Sequence, residues 1–171
     1  AGQFAFINFD QRQLGEVHPF TISNAPQADR SLRFMIKELG GYTQQLGQLV
    51  TTGATARVSN AFGHFSLQST DGPQIWIGAG IGITPFMAWL DELTPQWSTP
   101  THLYYSVRSP EDALLLSEFE KAAEQIENFD FTLVVTDEGG RLTVEQIVSQ
   151  LGHDIHAVSY THLRAHETSE N

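Results

Sequence analysis

Residues 74–90 read QIWIGAGIGITPFMAWL, and this stretch decides the fold of the second half of the chain. An apolar run is followed by three glycines in five residues, then by Thr84-Pro85 and an apolar segment with helical spacing. A continuous apolar run is typical of a strand that is buried on both faces. Pro85 suits the first position of a helix, and Thr84 is a suitable N-cap. The stretch therefore predicts a buried strand, a glycine turn and a helix.

The alternation of strand and helix continues after this stretch. THLYYSV and FTLVVT are predicted strands, whereas SPEDALLL, SEFEKAAEQIENF and TVEQIVSQL are predicted helices that each open with a capping-box pattern. This alternation predicts a parallel sheet with right-handed crossovers over residues 72–157. The sheet is expected to be truncated, because the apolar pattern stops where a fourth strand should continue.

The glycines Gly80 and Gly82 lie at the predicted carboxyl end of the first parallel strand. Ligands of such sheets bind at that edge, and the N–H groups of the following helix favour an anion. The spacing is G-x-G-x-T-P rather than the dinucleotide fingerprint G-x-G-x-x-G. A phosphate-binding turn is therefore one interpretation, and a sharp turn without a ligand is the other.

Residues 1–71 have a different character, with no long amphipathic helix. QFAFINF, HPFTISN and SLRFMIKEL are predicted strands, GGYTQQL begins a short helix, and TARVSNAFGHFSL is expected to form two short strands around a turn. Short strands separated by turns are typical of an antiparallel β-barrel. The predicted fold is thus β followed by α/β, with a boundary near residue 72.

Composition excludes several functions. The 171 residues carry 20 acidic and 9 basic side chains, a formal charge of -11, which argues against nucleic acid or an anionic membrane surface as a direct partner. There is no cysteine for a disulfide or a thiolate, and no apolar run long enough to span a bilayer. Because the chain begins at Ala1 within a strand-like stretch, we expect a piece of a longer protein, with the given piece soluble.

The motifs HPFTIS and GITPF, about sixty residues apart, resemble the ferredoxin–NADP reductase superfamily. The order GQFAF, HPFTIS, IKELGGYTQQL, AFGHF, IGAGIGITPF, LYYSVRS extends the resemblance over about residues 2–150. Within the superfamily the chain is most similar to the FAD- and NAD(P)-binding module of ferric-reductase-like and NADPH-oxidase-like transmembrane proteins. Those proteins carry His-Pro-Phe-Thr where soluble members carry Arg-x-Tyr-Ser/Thr. The resemblance implies a partial FAD-binding barrel over 1–71 that lacks its first strands, and a truncated NAD(P)-binding domain over 72–157.

The resemblance also implies roles for particular residues. Thr21 would be the catalytic residue, with its hydroxyl near the reactive flavin nitrogen. The implied cofactor contacts are His18, Pro19, Phe20 and Thr21 for the flavin, Ile36 and Lys37 for the adenylate, Gly40 and Thr43 for the pyrophosphate, Gly80, Gly82, Ile83, Thr84 and Pro85 for the nicotinamide dinucleotide, and Ser106 and Arg108 for the adenosine ribose or its 2′-phosphate. No metal ligand is implied.

Structural alternatives exist for several of these residues. Phe20 could be barrel core, and Thr43 could be only a helix cap. Arg108 could pair with Glu111 or Asp112 at the surface, and Lys37 could be solvated if its strand faces outward.

The implied activity is transfer of hydride from NAD(P)H to FAD, followed by release of single electrons to an acceptor. In a membrane parent, haem-bearing transmembrane helices upstream would pass the electrons to ferric iron or oxygen, and the module would lie on the cytoplasmic face of the membrane. The alternatives are a soluble reductase of the same superfamily that feeds an iron–sulfur partner, and an inactive truncated fragment.

The last stretch, residues 158–171, resembles a translated sequencing adapter, and we expect it to be non-native and loosely packed. The rival interpretation is a metal site, because His162 and His166 are one helical turn apart.

Overall fold

A computed structural model of the chain describes residues 1–68, 72–139, 142–143, 145 and 147, and the backbone of 156–160. Residues 1–68 are called the N-terminal unit below, and the described residues from 72 onward the C-terminal unit. Among the described residues, no helix combines the length and the apolar character needed to cross a bilayer. Of the tail predicted to be loosely packed, residues 158–160 belong to a strand described below, whereas residues 161–171, including the pair His162 and His166, lie outside the described part.

The N-terminal unit contains a three-stranded antiparallel sheet in the order β2-β1-β3. Its strands are β1 (Phe4–Phe9), β2 (His18–Thr21) and β3 (Ala56–Val58), and its helix is α1 (Gly41–Leu49). Strand β1 alternates as predicted, since Ala5 and Ile7 are buried on one face while Phe4 and Phe6 pack edge to face on the other. The described strands form an open sheet and not a closed barrel.

Two strand predictions for this unit, at SLRFMIKEL and within residues 55–67, are wrong. SLRFMIKEL forms only a single bridge, Ile22 to Phe34, because the backbone of Arg33 is bonded to Ser23 and to the Asn24 side chain in a tight loop. The stretch 55–67 contributes β3 and one further bridge, Phe4 to Phe62, rather than two strands.

The C-terminal unit is built on a parallel sheet in the order β6-β5-β4-β7. The strands are β4 (Gln74–Ala79), β5 (Thr101–Val107), β6 (Phe129–Val135) and β7 (His156–Tyr160). The helices are α2 (Thr84–Leu90), α3 (Leu116–Gln125) and α4 (Thr136–Gly139). Strand β7 pairs with β4 from Gln74 opposite His156 to Gly78 opposite Tyr160. The expectation that the sheet stops before a fourth strand is therefore wrong, and β7 crosses the predicted boundary at residue 157.

The core of this unit lies between the sheet and α2 and α3. Its largest members are fully buried or nearly so: Trp76, Phe86, Trp89, Leu103, Tyr105 and Phe119. Each such side chain contributes about 1.5–3 kcal/mol through removal from water. Ile75 and Tyr104 are buried on the opposite face of the sheet with Ile147, which is why the strand sequences are apolar without alternation.

The segment after β5 departs from its predicted helix. SPEDALLL forms only a single 3₁₀ turn, Pro110–Asp112. Leu115 then adopts a left-handed conformation with φ +56°, which interrupts helical geometry before α3 begins at Leu116. The predicted capping box at Ser117 is absent for the same reason, since Leu115 occupies the N-cap position and makes no side-chain cap.

Candidate functional site

The glycine turn after β4 forms a 3₁₀ segment, Gly80–Ile83, that leads directly into α2. Gly80 has φ +49°, and no atom lies within 4 Å of the position that a Cβ would occupy. The backbone conformation favours glycine, and the space beside it is open. Among residues 78–82 this is the position at which the backbone has both the conformation and the room to meet a ligand.

Gly78 serves packing instead. A Cβ there would lie 3.0 Å from Ile83 Cδ1, 3.3 Å from Ile83 Cα and 3.4 Å from Phe86 Cδ2. The absent side chain lets α2 approach the sheet closely, so that the turn lies directly against β4.

The other predicted residues of this turn are buried. Gly82, Ile83, Thr84 and Pro85 all have little accessible surface. The Thr84 hydroxyl donates to the Ile81 carbonyl at 3.1 Å. Thr84 is the first residue of α2 and not its N-cap, and Pro85 is therefore at the second position. Any coenzyme contact of these four residues would have to come through the backbone.

Ser106 and Arg108 lie at the same edge of the sheet, because Ser106 pairs with Ala79 where β4 and β5 end. The Arg108 side chain is 81% exposed, and its Nε donates to Oδ2 of Asp137 at 3.3 Å. The Asp137 N–H in turn donates to the Arg108 carbonyl at 3.2 Å. The predicted alternative, a pair with Glu111 or Asp112, is wrong: the partner comes from α4, after the neighbouring strand β6.

The predicted flavin strand β2 presents His18 and Phe20 on one face. The His18 ring stacks on Tyr42 at a centroid distance of 3.7 Å, and its Nε2 lies 3.2 Å from Glu16 Oε2. Burial first, and the Glu16 charge second, raise the pKa of Tyr42. Phe20 is half-buried, so a flat ring has access to it from one side.

Pro19 is exposed and Thr21 is 7% exposed. The single bridge from Ile22 to Phe34 brings the end of β2 beside the segment that continues through Met35 to Lys37. The catalytic role of Thr21 stays a prediction.

The start of helix α1 is the second part of the predicted flavin site. Gly40 is the N-cap residue, and the Thr43 hydroxyl accepts the N–H groups of Leu39 at 2.9 Å and Gly40 at 3.0 Å. Thr43 therefore does cap the helix. The first N–H groups of a helix have no acceptor within it, and the Cβ position of Gly41 has no atom within 4 Å. An anion has both donors and space here.

Ile36 and Lys37, predicted to line the adenylate, differ in their surroundings. Ile36 is half-buried. The Lys37 Nζ donates to Asp112 Oδ1 at 3.0 Å, which joins the N-terminal unit to the turn that follows β5. Lys37 is solvent-exposed, as the structural alternative expected, and it also pairs with Asp112.

The two units are packed together by further contacts. Phe65 stacks on Trp89 with centroids 4.5 Å apart, and Met35 packs on the core of the C-terminal unit. Asp91, at the end of α2, accepts from Arg33 Nη2 at 3.4 Å and from the Ala25 N–H at 3.3 Å. The candidate flavin strand and the carboxyl edge of the parallel sheet are thus parts of one packed structure.

Reasoning from sequence missed four pairings: Tyr42 with His18, Asp91 with Arg33, Asp112 with Lys37 and Asp137 with Arg108. Each pairing joins residues that are far apart in the chain, so no local spacing in the sequence indicated it. The residues present nevertheless suit the two cofactors. An aromatic pair and a helix start match a flavin with its pyrophosphate, and an open glycine turn matches a dinucleotide. Within the described residues, no cluster of three or more His, Asp or Glu side chains could hold a metal ion.

When the four parallel strands β4 to β7 are numbered 1 to 4 along the chain, their order across the sheet is 3-2-1-4. Dinucleotide-binding sheets have the same order. Comparison with known proteins agrees. A family model described as "FAD-binding domain" matches residues 1–76, and one described as "Oxidoreductase NAD-binding domain" matches residues 76–153. The chain belongs to the ferredoxin–NADP reductase superfamily, with an FAD-binding domain followed by an oxidoreductase NAD-binding domain.

Similar proteins include the anthranilate 1,2-dioxygenase electron transfer component of Acinetobacter baylyi, 28% identical over 79% of this chain and 40% of the relative. The toluate 1,2-dioxygenase electron transfer component of Pseudomonas putida is 27% identical over 76% of this chain and 39% of the relative. The chain thus spans about two fifths of the length of these relatives.

Two solved structures share the fold. The cytochrome P450 reductase GcoB of Amycolatopsis has a TM-score of 0.78 and 23% identity, covering 93% of this chain and 52% of that chain. The flavohem-like FAD/NAD-binding domain of nitric oxide dioxygenase from Vibrio cholerae has a TM-score of 0.76 and 20% identity, covering 93% and 84%.

Proposed function

We propose that the chain is a flavin-dependent NAD(P)H oxidoreductase module in which bound FAD accepts hydride from NAD(P)H and then releases single electrons to an acceptor. The observation that supports this most directly is the junction of the two units. The Lys37–Asp112 hydrogen bond joins the segment beside β2 to the carboxyl edge of the parallel sheet, where the turn at Gly80 and residues Ser106 and Arg108 lie.

The residues of the N-terminal unit would hold the flavin in place. His18, fixed by its stack on Tyr42, and the half-buried Phe20 would flank the ring, and the N–H groups at the start of α1 would receive the pyrophosphate. The Thr21 hydroxyl would donate to or accept from the flavin nitrogen that exchanges a proton. Because Thr21 is only 7% exposed, its surroundings would keep bulk water away from that contact.

The residues of the C-terminal unit would orient the coenzyme. The open backbone at Gly80 would approach the dinucleotide, and Ser106 and Arg108 would face the adenosine end. The protein would then hold the nicotinamide ring and the flavin ring in a fixed relative orientation. Such positioning accounts for much of the rate of a transfer between two bound groups.

The test is reconstitution. Purified chain is mixed with FAD, and retained flavin is measured by its visible absorbance after desalting. Addition of NADH or NADPH without oxygen should bleach that absorbance, and ferricyanide should then be reduced at the expense of the coenzyme. His18→Ala and Phe20→Leu should weaken FAD binding. Phe62→Leu, a matched change at an aromatic that is 45% exposed and forms an isolated bridge to β1, should leave it unchanged.

Folded chain that retains no FAD at saturating concentration, or holds FAD that neither coenzyme bleaches, would contradict the proposal. A circular dichroism spectrum with the helix and strand content described above serves as the check that the chain is folded.

The acceptor has two candidates. The relatives named as electron transfer components of dioxygenases, together with a carbazole 1,9a-dioxygenase ferredoxin reductase of the same fold, favour an iron–sulfur partner. His18-Pro19-Phe20-Thr21 favours instead a haem-bearing transmembrane parent of the ferric-reductase-like type, with the module on the cytoplasmic face of a membrane. Reduction of a [2Fe–2S] ferredoxin at a rate well above that of a ferric chelate would select the first, and an upstream reading frame with paired histidines on apolar helices would select the second.

A further inference from the structure

We propose that Lys37 and Asp112 act together as positioning residues for coenzyme binding, by holding the turn after β5 (residues 108–114, the β5 turn) against the N-terminal unit. The inference rests on the proposed function, since it takes Ser106 and Arg108 to face the coenzyme. The Lys37 Nζ donates to Asp112 Oδ1 at 3.0 Å, and the two residues are 75 positions apart in the chain and belong to different units.

The β5 turn has a second anchor on the sheet beneath it. The hydroxyl of Tyr105, a fully buried side chain, accepts the Leu114 N–H at 3.0 Å and donates to the Asp112 carbonyl at 3.4 Å. The Asp112 N–H donates to the Ser109 carbonyl at 3.1 Å, which closes the turn on itself. The turn that carries Arg108 is therefore held from below by Tyr105 and from the side by Lys37.

Lys37 is on a segment that is itself fixed. Arg33 donates from Nη2 to the Ser23 carbonyl at 2.6 Å and from Nε at 3.1 Å, and Met35 packs on the core of the C-terminal unit. The Lys37 side chain is 45% exposed and the Asp112 side chain 34%, so the pair lies at the rim of the junction where salt has access. The Lys37 hydrogen bond, as the first cause, lowers the pKa of Asp112, so this carboxylate is ionised throughout the neutral range.

The direction in which Asp112→Asn changes the coenzyme affinity separates a positioning role from plain electrostatic repulsion and from direct contact of Lys37 with the coenzyme. Asp112 is an anion near the expected site of an anionic coenzyme, so electrostatics alone would have Asp112→Asn strengthen binding. If Lys37 contacted the phosphates directly, the same substitution would release Lys37 and again strengthen binding. A positioning role requires the opposite, because the β5 turn loses its lateral anchor.

The experiment is calorimetric titration of NAD⁺ into the full chain with excess FAD, at about 20 mM salt where screening is weak. The variants are Lys37→Gln, Asp112→Asn, the double variant and Lys37→Arg. The control is Lys121→Gln, which removes the same charge from the exposed face of α3. Thermal melts establish that each variant is folded.

We expect each single substitution to raise the NAD⁺ Kd about two- to five-fold, the range of a partly exposed ion pair. The double variant should be no weaker than either single one, because both remove the same contact. Lys37→Arg should keep most of the affinity, and the losses should shrink at about 300 mM salt.

Several results would overturn the inference. Tighter binding by Asp112→Asn would assign Lys37 to direct contact or to plain electrostatics. Unchanged Kd values, or losses that simply add in the double variant, would leave the pair without a positioning role. A chain that bleaches its flavin with NADH or NADPH but shows one of these patterns would keep the proposed function, whereas a folded chain that binds neither NAD⁺ nor NADP⁺ would overturn both.

Discussion

Substitution of Gly78 by alanine tests whether close packing of strand β4 against the glycine turn supports the coenzyme site. The new Cβ would lie 3.0 Å from Ile83 Cδ1 and 3.3 Å from Ile83 Cα. Contacts between carbon atoms are most favourable at about 3.5–4.0 Å, so the Ile83 side chain has to retreat by about 0.5 Å or more and its backbone by about 0.2 Å. Ile83 ends the 3₁₀ segment that begins at Gly80, so this movement is transmitted to the turn.

The expected loss of stability follows from these distances. One extra methyl group in a packed core costs about 1–3 kcal/mol, and replacement of glycine restores about 0.4–1 kcal/mol by restricting the unfolded chain. The middle values of these two ranges, about 2 and about 0.7 kcal/mol, leave a net loss of about 1.3 kcal/mol. With a urea m-value of about 2 kcal/mol/M, the unfolding midpoint should fall by about 0.5–1 M.

The assay is urea unfolding followed by circular dichroism, with NAD⁺ titration on the folded variant. Gly15→Ala is the matched control, because its Cβ would meet only carbonyl oxygens at 3.8 and 3.9 Å and its φ of -74° suits any residue. Its midpoint should be unchanged or slightly raised. A Gly78→Ala variant that is as stable as the parent and binds NAD⁺ equally well would refute the packing argument.

Three further substitutions test individual contacts. Thr43→Val removes the acceptor for the Leu39 and Gly40 N–H groups and should lower the free energy of unfolding by about 0.5–2 kcal/mol, whereas Thr43→Ser should not; equal stabilities would show that the cap is dispensable. Asp137→Asn weakens the pairing that holds Arg108 and should leave its guanidinium available to the 2′-phosphate of NADPH. The kcat/KM for NADPH relative to NADH should then rise about two- to five-fold. An unchanged ratio would show that Arg108 does not face the adenosine end of the coenzyme. Burial is the main cause that lowers the pKa of His102, so the folded chain binds a proton on this imidazole less readily than the unfolded chain does. The free energy of unfolding should therefore fall as the pH drops through about 6.5. His102→Gln should flatten this pH dependence in urea unfolding measured from about pH 7 to 5, and a variant whose curve runs parallel to that of the parent would contradict it.

Several parts of the fold followed from local pattern. The run at residues 74–90 correctly predicted β4 and the helix after it, and THLYYSV corresponds residue for residue to β5. These segments are apolar on both faces, so their burial does not depend on which partner covers them. The family and its two cofactors could also be predicted, because the motifs that carry them are short and local.

The two main errors in the predicted secondary structure, one helix and one strand, have a common cause. SPEDALLL has helical composition, yet the bond from Leu114 to the Tyr105 hydroxyl and the left-handed Leu115 hold it in a turn. SLRFMIKEL has strand composition, yet Arg33 is bound into the loop at Ser23. In each case a specific polar contact outweighs a propensity difference of well under 1 kcal/mol per residue.

The amino-acid sequence by itself determined the division into a β half and an α/β half, the glycine turn at the end of β4 and the net negative charge of -11. These properties depend on composition and on neighbours within a few positions. Only the tertiary structure decided the partners of the charged residues: Arg108 with Asp137, Lys37 with Asp112 and Arg33 with Asp91. Such pairs form where strands end at a common edge or where two units meet, and their spacing along the chain follows from topology rather than from any local repeat.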